Sequence, residues 1–227
     1  MMRPSPIAIV VALVVSIVGI GRAAQGPLGG GTVRGRVSVP EAVDVAPRPS
    51  VSGFTSGTHL AVDRRRVVVF LESTPVLTAY PKTPGRARMD QRDEQFAPRL
   101  LAITTGSTVE FPNNDTTFHN VFSLSRTRTF DLGRYPPGRN GAIRFDRPGI
   151  VPVFCDIHSH MSAYILVFDH PFFVVSDTSG RYAIRDIPAG TYGLGVWSEL
   201  GQARSRRITI AADTAIEADF DVDRDTR

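Results

Sequence analysis

The feature that most constrains the fold is a succession of short β-type runs separated by turn residues. Residues 32–39 (TVRGRVSV) alternate with period two, as a half-buried strand does. Residues 67–71 (VVVFL) form a continuous apolar run, which suits a strand buried on both faces. Further predicted strands follow at 100–104, 108–111, 118–124, 142–145, 151–154 and 164–168.

The C-terminal part of the sequence shows the same pattern of short β-type runs separated by turns. Residues 172–222 contain predicted hairpin turns at Asp177–Gly180 and Pro188–Gly190. Residues 74–88, with three prolines, are predicted to be a loop. No helix of consequence is indicated after the N-terminus, so the sequence predicts an all-β protein of sandwich or barrel type.

The first residues are typical of an export signal. Arg3 supplies a positive start, residues 7–20 form a 14-residue apolar run, and Gly21 and Ala23 provide small residues for cleavage. An uncleaved anchor is the alternative, but this run is short for a hydrocarbon core of about 30 Å. We therefore expect residues 1–23 to be removed, and the mature protein to be periplasmic or secreted with no membrane span.

The sequence contains one cysteine, Cys155, and the net charge is +4. In an oxidising compartment a lone thiol is either buried and inert or bound as a thiolate to a metal, and composition leaves both open. The basic residues lack the interleaved aromatics of a nucleic-acid module, so no nucleic-acid partner is expected. Most of the arginines are expected to be solvated surface residues, and the alternative is that they steer an acidic redox partner.

The segment FCDIHSHM, residues 154–161, places Cys155, His158 and Met161 on one loop between two predicted strands. A blue-copper site uses a thiolate and two imidazoles in a trigonal plane with a weak axial thioether. The second imidazole must come from elsewhere in the chain, and His119, after an Asn-rich turn, fits this position.

The segments VEFPNN…HNVFS and FCDIHSHM…ILV resemble the cupredoxins, particularly the plastocyanin- and amicyanin-like small blue copper proteins. The resemblance covers residues 96–168 and implies a Greek-key β-sandwich that binds one copper ion. It implies His119, Cys155, His158 and Met161 as ligands. It also implies that the backbone of Asn120 hydrogen-bonds the sulfur.

Two positions depart from that pattern. Ser159 stands where these proteins often have proline, and His160 is an extra histidine between two predicted ligands. His160 is either a bystander beside the copper or a replacement for Met161. The second alternative would give a tetragonal, less blue site.

The outer segments resemble a different family. The stretch DTSGRYAIRDIPAGTYGLGVWSE and the early GTVRGRV and VVVFL runs are similar to the carboxypeptidase regulatory-like sandwich, which has a transthyretin-like fold. We therefore predict a discontinuous sandwich, residues 29–76 and 171–223, with a copper domain at 86–170 inserted into it. The alternative is two sandwiches in tandem, with 67–71 in the copper domain. The combination resembles bacterial exported proteins labelled methylamine-utilisation or plastocyanin-like.

These features favour outer-sphere electron transfer with redox partner proteins. A four-ligand site has no open position, and no nucleophile–base pair indicates catalysis, so the protein is not expected to be an enzyme. Two alternatives remain. The protein could bind and deliver copper in the periplasm, or its outer sandwich could be an adhesion or carbohydrate-binding module.

Overall fold

A computed structural model describes residues 29–39 and 65–222, and the predicted export signal lies outside the described residues. Within these ranges the chain forms strands and one four-residue helix, which confirms the all-β prediction. In the described part of the chain, no helix has the length and apolarity needed to cross a bilayer.

The strands are short, as the turn-rich sequence predicts. In chain order the elements are β1 (Gly31–Ser38), β2 (Val68–Leu71), α1 (Pro75–Thr78), β3 (Arg86–Arg88), β4 (Asp90–Arg92), β5 (Gln95–Ala97), β6 (Leu100–Thr104), β7 (Ser107–Pro112), β8 (His119–Leu124), β9 (Thr129–Tyr135), β10 (Asn140–Phe145), β11 (Gly149–Phe154), β12 (Ser162–Phe168), β13 (Phe173–Val175), β14 (Arg181–Ile187), β15 (Gly190–Ser198), β16 (Gly201–Ile210), β17 (Ala215–Glu217) and β18 (Phe220–Asp221).

The middle of the chain forms one sandwich, which we call the inner sandwich. One sheet has the order β6-β12-β11-β8-β9, and the other has the order β10-β7-β3. A core that includes Phe111, Phe145 and Ile165, all fully buried, lies between them. The short hairpin β4–β5 adjoins this sandwich through a bridge from Gln91 to Asn113.

The two ends of the chain form a second sandwich, which we call the outer sandwich. One sheet has the order β13-β2-β15-β16, and the other has the order β14-β1-β17, with β18 also pairing with β1. Strand β2 is antiparallel to both β13 and β15. The predicted strand at 67–71 therefore pairs with strands of the 172–222 segment, as expected.

The two sandwiches are stacked face to face. In β12, Ala163, Ile165 and Val167 enter the core of the inner sandwich, whereas the alternate residues face a third apolar cluster. In β2, the residues likewise alternate between the outer core and that third cluster. This cluster contains Leu166 and Trp197 as buried members. Strands buried on both faces need continuous apolar sequence, which explains VVVFL.

The prediction that residues 74–88 form a loop is wrong at both ends of this segment. Helix α1 forms because Pro75 suits a first helical turn and Thr74 Oγ1 accepts the N–H of Leu77 at 3.3 Å. Strand β3 pairs in parallel with β7. Strand β9 was not predicted either, because it is an edge strand with mostly partly or fully exposed residues and little apolar alternation.

Candidate metal centre

The buried histidine of the site, His119, is the first residue of β8 and follows a polar turn. Within that turn, Asn113 Nδ2 donates to the carbonyls of Thr117 at 2.8 Å and Tyr135 at 3.2 Å. Asn113 Oδ1 accepts the N–H of Asp115 at 3.0 Å. Because the Asn113 amide satisfies these backbone groups, the turn has a fixed shape. It places His119 in the interior, where the residue is 0% exposed.

Asp115 fixes the ring of His119. Its Oδ2 lies 2.9 Å from His119 Nε2 and also accepts the N–H of Glu94 at 2.7 Å. Burial raises the pKa of Asp115, but hydrogen bonds from Glu94, His119 and Thr116 outweigh burial and hold that pKa below its ordinary value. A carboxylate only accepts, so His119 Nε2 carries the proton and His119 Nδ1 keeps its lone pair for a ligand.

The other three predicted ligands lie on the loop between β11 and β12. The last pair of the β11–β12 ladder is Phe154 with Ser162, directly beside the loop. Inside the loop, the N–H of Met161 donates to the carbonyl of His158 at 2.9 Å. The N–H of Cys155 donates to the carbonyl of Met161 at 3.4 Å. The two ends of the loop are thus hydrogen-bonded to each other next to the β11–β12 ladder, which limits their movement.

Three donor atoms converge. His119 Nδ1 and His158 Nδ1 are 3.0 Å apart, and Cys155 Sγ lies 4.0 Å from the first and 3.9 Å from the second. Among the described residues, this is the one group of three or more His, Cys, Asp or Glu side chains close enough to hold a metal. Cys155 is 5% exposed, so the group is largely shielded from solvent.

The sulfur of Cys155 lies in an environment that favours its charged form. The backbone N–H of Asn120 donates to Cys155 Sγ at 3.4 Å, as the cupredoxin resemblance implies. Burial raises the pKa of Cys155, but the interactions with His119, Asn120 and the loop backbone outweigh burial and lower that pKa below its ordinary value. The side chain of Asn120 is held in turn, because its Nδ2 donates to Asp131 Oδ1 at 2.7 Å.

His158 is the partly exposed histidine of the group. Its side chain is 17% exposed, and Nε2 lies 3.9 Å from Glu94 Oε1. Burial lowers the pKa of His158, and the nearby His119 and His160 lower it further. Glu94 raises this pKa but does not outweigh the other effects, so the pKa of His158 lies below its ordinary value. A neutral imidazole is the form that binds a metal.

The donor set fits a single first-row transition metal. With bonds of about 2.0 Å to nitrogen and about 2.3 Å to sulfur, two nitrogens on one ion lie within about 4 Å, and a nitrogen and a sulfur within about 4.3 Å. The separations of 3.0, 3.9 and 4.0 Å meet both limits. Thiolate and imidazole suit copper and zinc and exclude the hard cations calcium and magnesium.

Met161 and His160 are placed differently. Met161 is 1% exposed and belongs to the same apolar cluster as Cys155. His160 has a side chain that is 32% exposed, with Nε2 3.3 Å from Glu94 Oε2, and it lies outside the three-residue donor group. Met161 is therefore enclosed with Cys155, whereas His160 is partly exposed beside Glu94.

Comparison with known proteins gave matches among solved structures. No family model and no curated protein matches this chain. A purple cupredoxin from Nitrosopumilus maritimus is 20% identical, with a TM-score of 0.34, and the match covers 36% of this chain and 99% of that one. A reduced amicyanin with a single substitution is 18% identical, with a TM-score of 0.35, and the match covers 44% of this chain and 98% of that one.

A third match is to the copper-containing nitrite reductase of Thermus scotoductus SA-01. It is 26% identical, with a TM-score of 0.35, and the match covers 40% of this chain but only 23% of the reductase. The solved structures similar to this chain thus include small cupredoxins and part of an enzyme.

Three acidic residues of the site were not identified from sequence. Asp115 binds His119, Asp131 binds Asn120, and Glu94 contacts both His158 and Asp115. Asp131 lies in β9, which the sequence pattern did not predict. One signal existed for Asp115, which stands four residues before His119 in the polar turn. No local signal exists for Glu94, because it reaches the site from a separate hairpin.

Proposed function

We propose that this protein is an exported mononuclear copper protein that transfers electrons between partner proteins. The observation that supports this most strongly is the convergence of Cys155 Sγ with two histidine Nδ1 atoms in a buried pocket. A lone cysteine with two imidazoles and a nearby methionine is the donor set of blue-copper electron-transfer sites. His119, Cys155, His158 and Met161 would hold the ion.

Copper is preferred over zinc because of Met161. Zinc sites in proteins use cysteine, histidine and carboxylate ligands, whereas thioether sulfur is a soft ligand suited to cuprous copper. Met161 is fully enclosed beside Cys155, and no carboxylate joins the donor group among the described residues. Bound copper would supply a one-electron couple.

The protein would contribute a rigid donor set. Asp115 orients His119, Asn120 orients the sulfur, and the backbone bonds of the 155–161 loop fix the remaining donors. These hydrogen bonds restrict the movement of the donor residues. A donor set that moves little lowers the cost of gaining or losing an electron, which suits a carrier.

Electrons would enter and leave the site through His158. It is the predicted ligand with a partly exposed side chain, at 17%, whereas His119, Cys155 and Met161 are buried. A redox partner that docks over this face would approach the site through the imidazole ring. No open coordination position is expected in a four-ligand site, and we propose that the protein is not an enzyme.

We also propose that residues 29–76 and 171–223 form one discontinuous domain around a copper domain at 86–170. The support is strand pairing: β1 and β2 pair with strands from the C-terminal segment. The outer sandwich would then be the carboxypeptidase regulatory-like module that its hairpin motifs resemble.

Copper delivery is the second candidate. Glu94 and His160 lie beside the partly exposed His158, and the His158 and His160 rings are 6.0 Å apart between centroids. A carboxylate and an imidazole at this position could accept copper during exchange with another protein. Delivery would require fast metal loss to an acceptor, whereas a carrier retains its metal.

Voltammetry and metal exchange on the copper-loaded mature protein distinguish the two functions. For a carrier, we expect a reversible one-electron wave and slow copper loss to a competing chelator. An irreversible wave with rapid loss would favour delivery. Binding of zinc in preference to copper from an equimolar mixture of the cuprous and zinc ions would contradict both.

A further inference from the structure

A largely buried ion pair connects the outer sandwich to an arginine that holds the strand after the proposed metal loop. Arg99 lies between β5 and β6 of the inner sandwich, and Glu199 lies in the turn between β15 and β16 of the outer sandwich. Arg99 Nε donates to Glu199 Oε1 at 2.6 Å, and Arg99 Nη2 donates to Glu199 Oε2 at 2.9 Å. The two side chains are 16% and 9% exposed.

The same guanidinium holds the first residue of β12. Arg99 Nη1 donates to the carbonyl of Ser162 at 2.5 Å, and Nη2 donates to Ser162 Oγ at 2.9 Å. The carbonyl of Arg99 also accepts the N–H of Tyr164 at 2.9 Å. A planar guanidinium presents its donors in a fixed fork, so binding Glu199 on one edge orients the donors that face Ser162.

Ser162 leads directly to the metal loop. It follows Met161 in the chain and pairs with Phe154, which precedes Cys155. Met161 in turn binds the backbone of His158 and Cys155. Hydrogen bonds therefore connect Glu199 to Ser162, and the peptide bond from Ser162 to Met161 continues this path to the loop that would bind the metal.

We propose that Glu199, acting through Arg99, is a positioning residue for the metal-binding loop, so that the outer sandwich sets the geometry of the copper site. This inference rests on the proposed function for the identity of the metal. The apolar contact between the sandwiches, with Trp197 and Tyr164 rings 4.9 Å apart, holds the two sheets together independently of the ion pair. Loss of the ion pair should therefore loosen the loop without separating the sandwiches.

The test compares Glu199→Gln with Glu217→Gln. Glu217 belongs to the outer sandwich but forms an exposed pair with Arg34 at 3.1 Å, with the Arg34 side chain 60% and the Glu217 side chain 75% exposed. Its sheet contributes no residue to the apolar cluster between the sandwiches. Two quantities are measured: amide hydrogen exchange of Cys155 and Met161 in the metal-free protein, and the copper dissociation constant by chelator competition.

We expect faster exchange at Cys155 and Met161 and about tenfold weaker copper binding in Glu199→Gln, a loss at the lower end of that seen for outer-shell partners. Glu217→Gln should change neither. Unchanged loop exchange in Glu199→Gln would overturn the proposal, and so would equal acceleration of all amides, including those of β7. If Glu199→Gln does not fold, Arg99→Lys decides, because lysine keeps the charge but lacks the planar fork that binds both oxygens of Glu199 while it faces Ser162.

Arg99→Lys should show the same loop-specific acceleration, and its absence would also overturn the proposal. A wild-type protein that binds no copper would contradict the proposed function. The exchange measurement on metal-free protein would still decide whether Glu199 positions the loop.

Discussion

Asp115 Oδ2 lies 2.9 Å from Nε2 of His119, four residues later in the chain. This contact selects the tautomer of His119 whose Nδ1 faces Cys155 and His158. It also connects two parts of the chain, because the same oxygen accepts the N–H of Glu94 from the β4–β5 hairpin. The site is therefore shaped by a carboxylate that does not belong to the donor group.

Asp115→Asn should weaken copper binding by about tenfold, because outer partners of ligating histidines typically contribute 10–100-fold. The amide of asparagine is neutral and holds the Nε2–H less strongly. Asp146→Asn is the matched control, since Asp146 is exposed and pairs with Arg144 away from the site. Chelator competition measures both. Equal affinities in the two variants would show that Asp115 does not orient a ligand.

The identity of the proposed fourth ligand is tested by comparing Met161→Ala with His160→Ala. Met161 is enclosed beside Cys155, whereas His160 pairs with Glu94 at the surface. Met161→Ala should therefore change the visible spectrum and the reduction potential, and His160→Ala should leave both nearly unchanged. The opposite pattern in spectra and voltammetry would assign His160 as the ligand and favour copper delivery.

Three of the proposed ligands could be chosen from the sequence because they share one short loop. Strands on both sides of 155–161 place Cys155, His158 and Met161 at one end of a sheet, and the local spacing carries that information. The contribution of Asp115 had only one signal in the sequence, its position four residues before His119, because an Asp within NNDTT otherwise looks like any turn residue. Its contact with Glu94 depends on how the β4–β5 hairpin packs, which no local pattern encodes.

The layering of the fold was predictable only in part. The continuous apolar run at 67–71 indicates burial on both faces, and the structure shows this arrangement. The partner of its second face could not be read from the pattern, because apolar residues do not specify which sheet covers them. Strand β9 escaped prediction for a similar reason, since its pairing with β8 depends on backbone hydrogen bonds rather than on apolar alternation.

His170 gives the folded protein a pH dependence. It is 0% exposed, and its Nδ1 accepts the N–H of Phe172 at 3.1 Å. Burial lowers the pKa of His170 below its ordinary value, despite opposition from Asp169. The unfolded chain, with a histidine pKa of about 6.5, then binds this proton at a higher pH than the folded protein does. His170 therefore makes the free energy of unfolding decrease as the pH falls below about 6.5.

The test is urea unfolding of the metal-free protein between about pH 7.5 and about pH 5.5. His170→Asn can keep an acceptor for the N–H of Phe172 but does not titrate, so its stability should fall less steeply than that of wild type. Equal slopes for the two proteins would mean that His170 does not contribute to acid sensitivity.

Trp197, the single tryptophan of the sequence, reports on the contact between the sandwiches. Because its ring packs on Tyr164 and the Arg99–Glu199 pair lies nearby, we expect the two sandwiches to unfold together. Urea curves from Trp197 fluorescence and from far-UV circular dichroism should coincide. A fluorescence transition at lower urea than the main loss of strand signal would show that the sandwiches separate first.

The most direct measurement is copper content and visible absorbance of the wild type beside Cys155→Ser. The account predicts one copper per chain in the wild type, with an intense thiolate-to-copper band, because Cys155 Sγ lies 3.9 and 4.0 Å from the two histidine Nδ1 atoms. In Cys155→Ser the band should vanish and copper binding should fall sharply. Unchanged stoichiometry with an unchanged spectrum in Cys155→Ser would contradict the assignment of this cluster as the copper site.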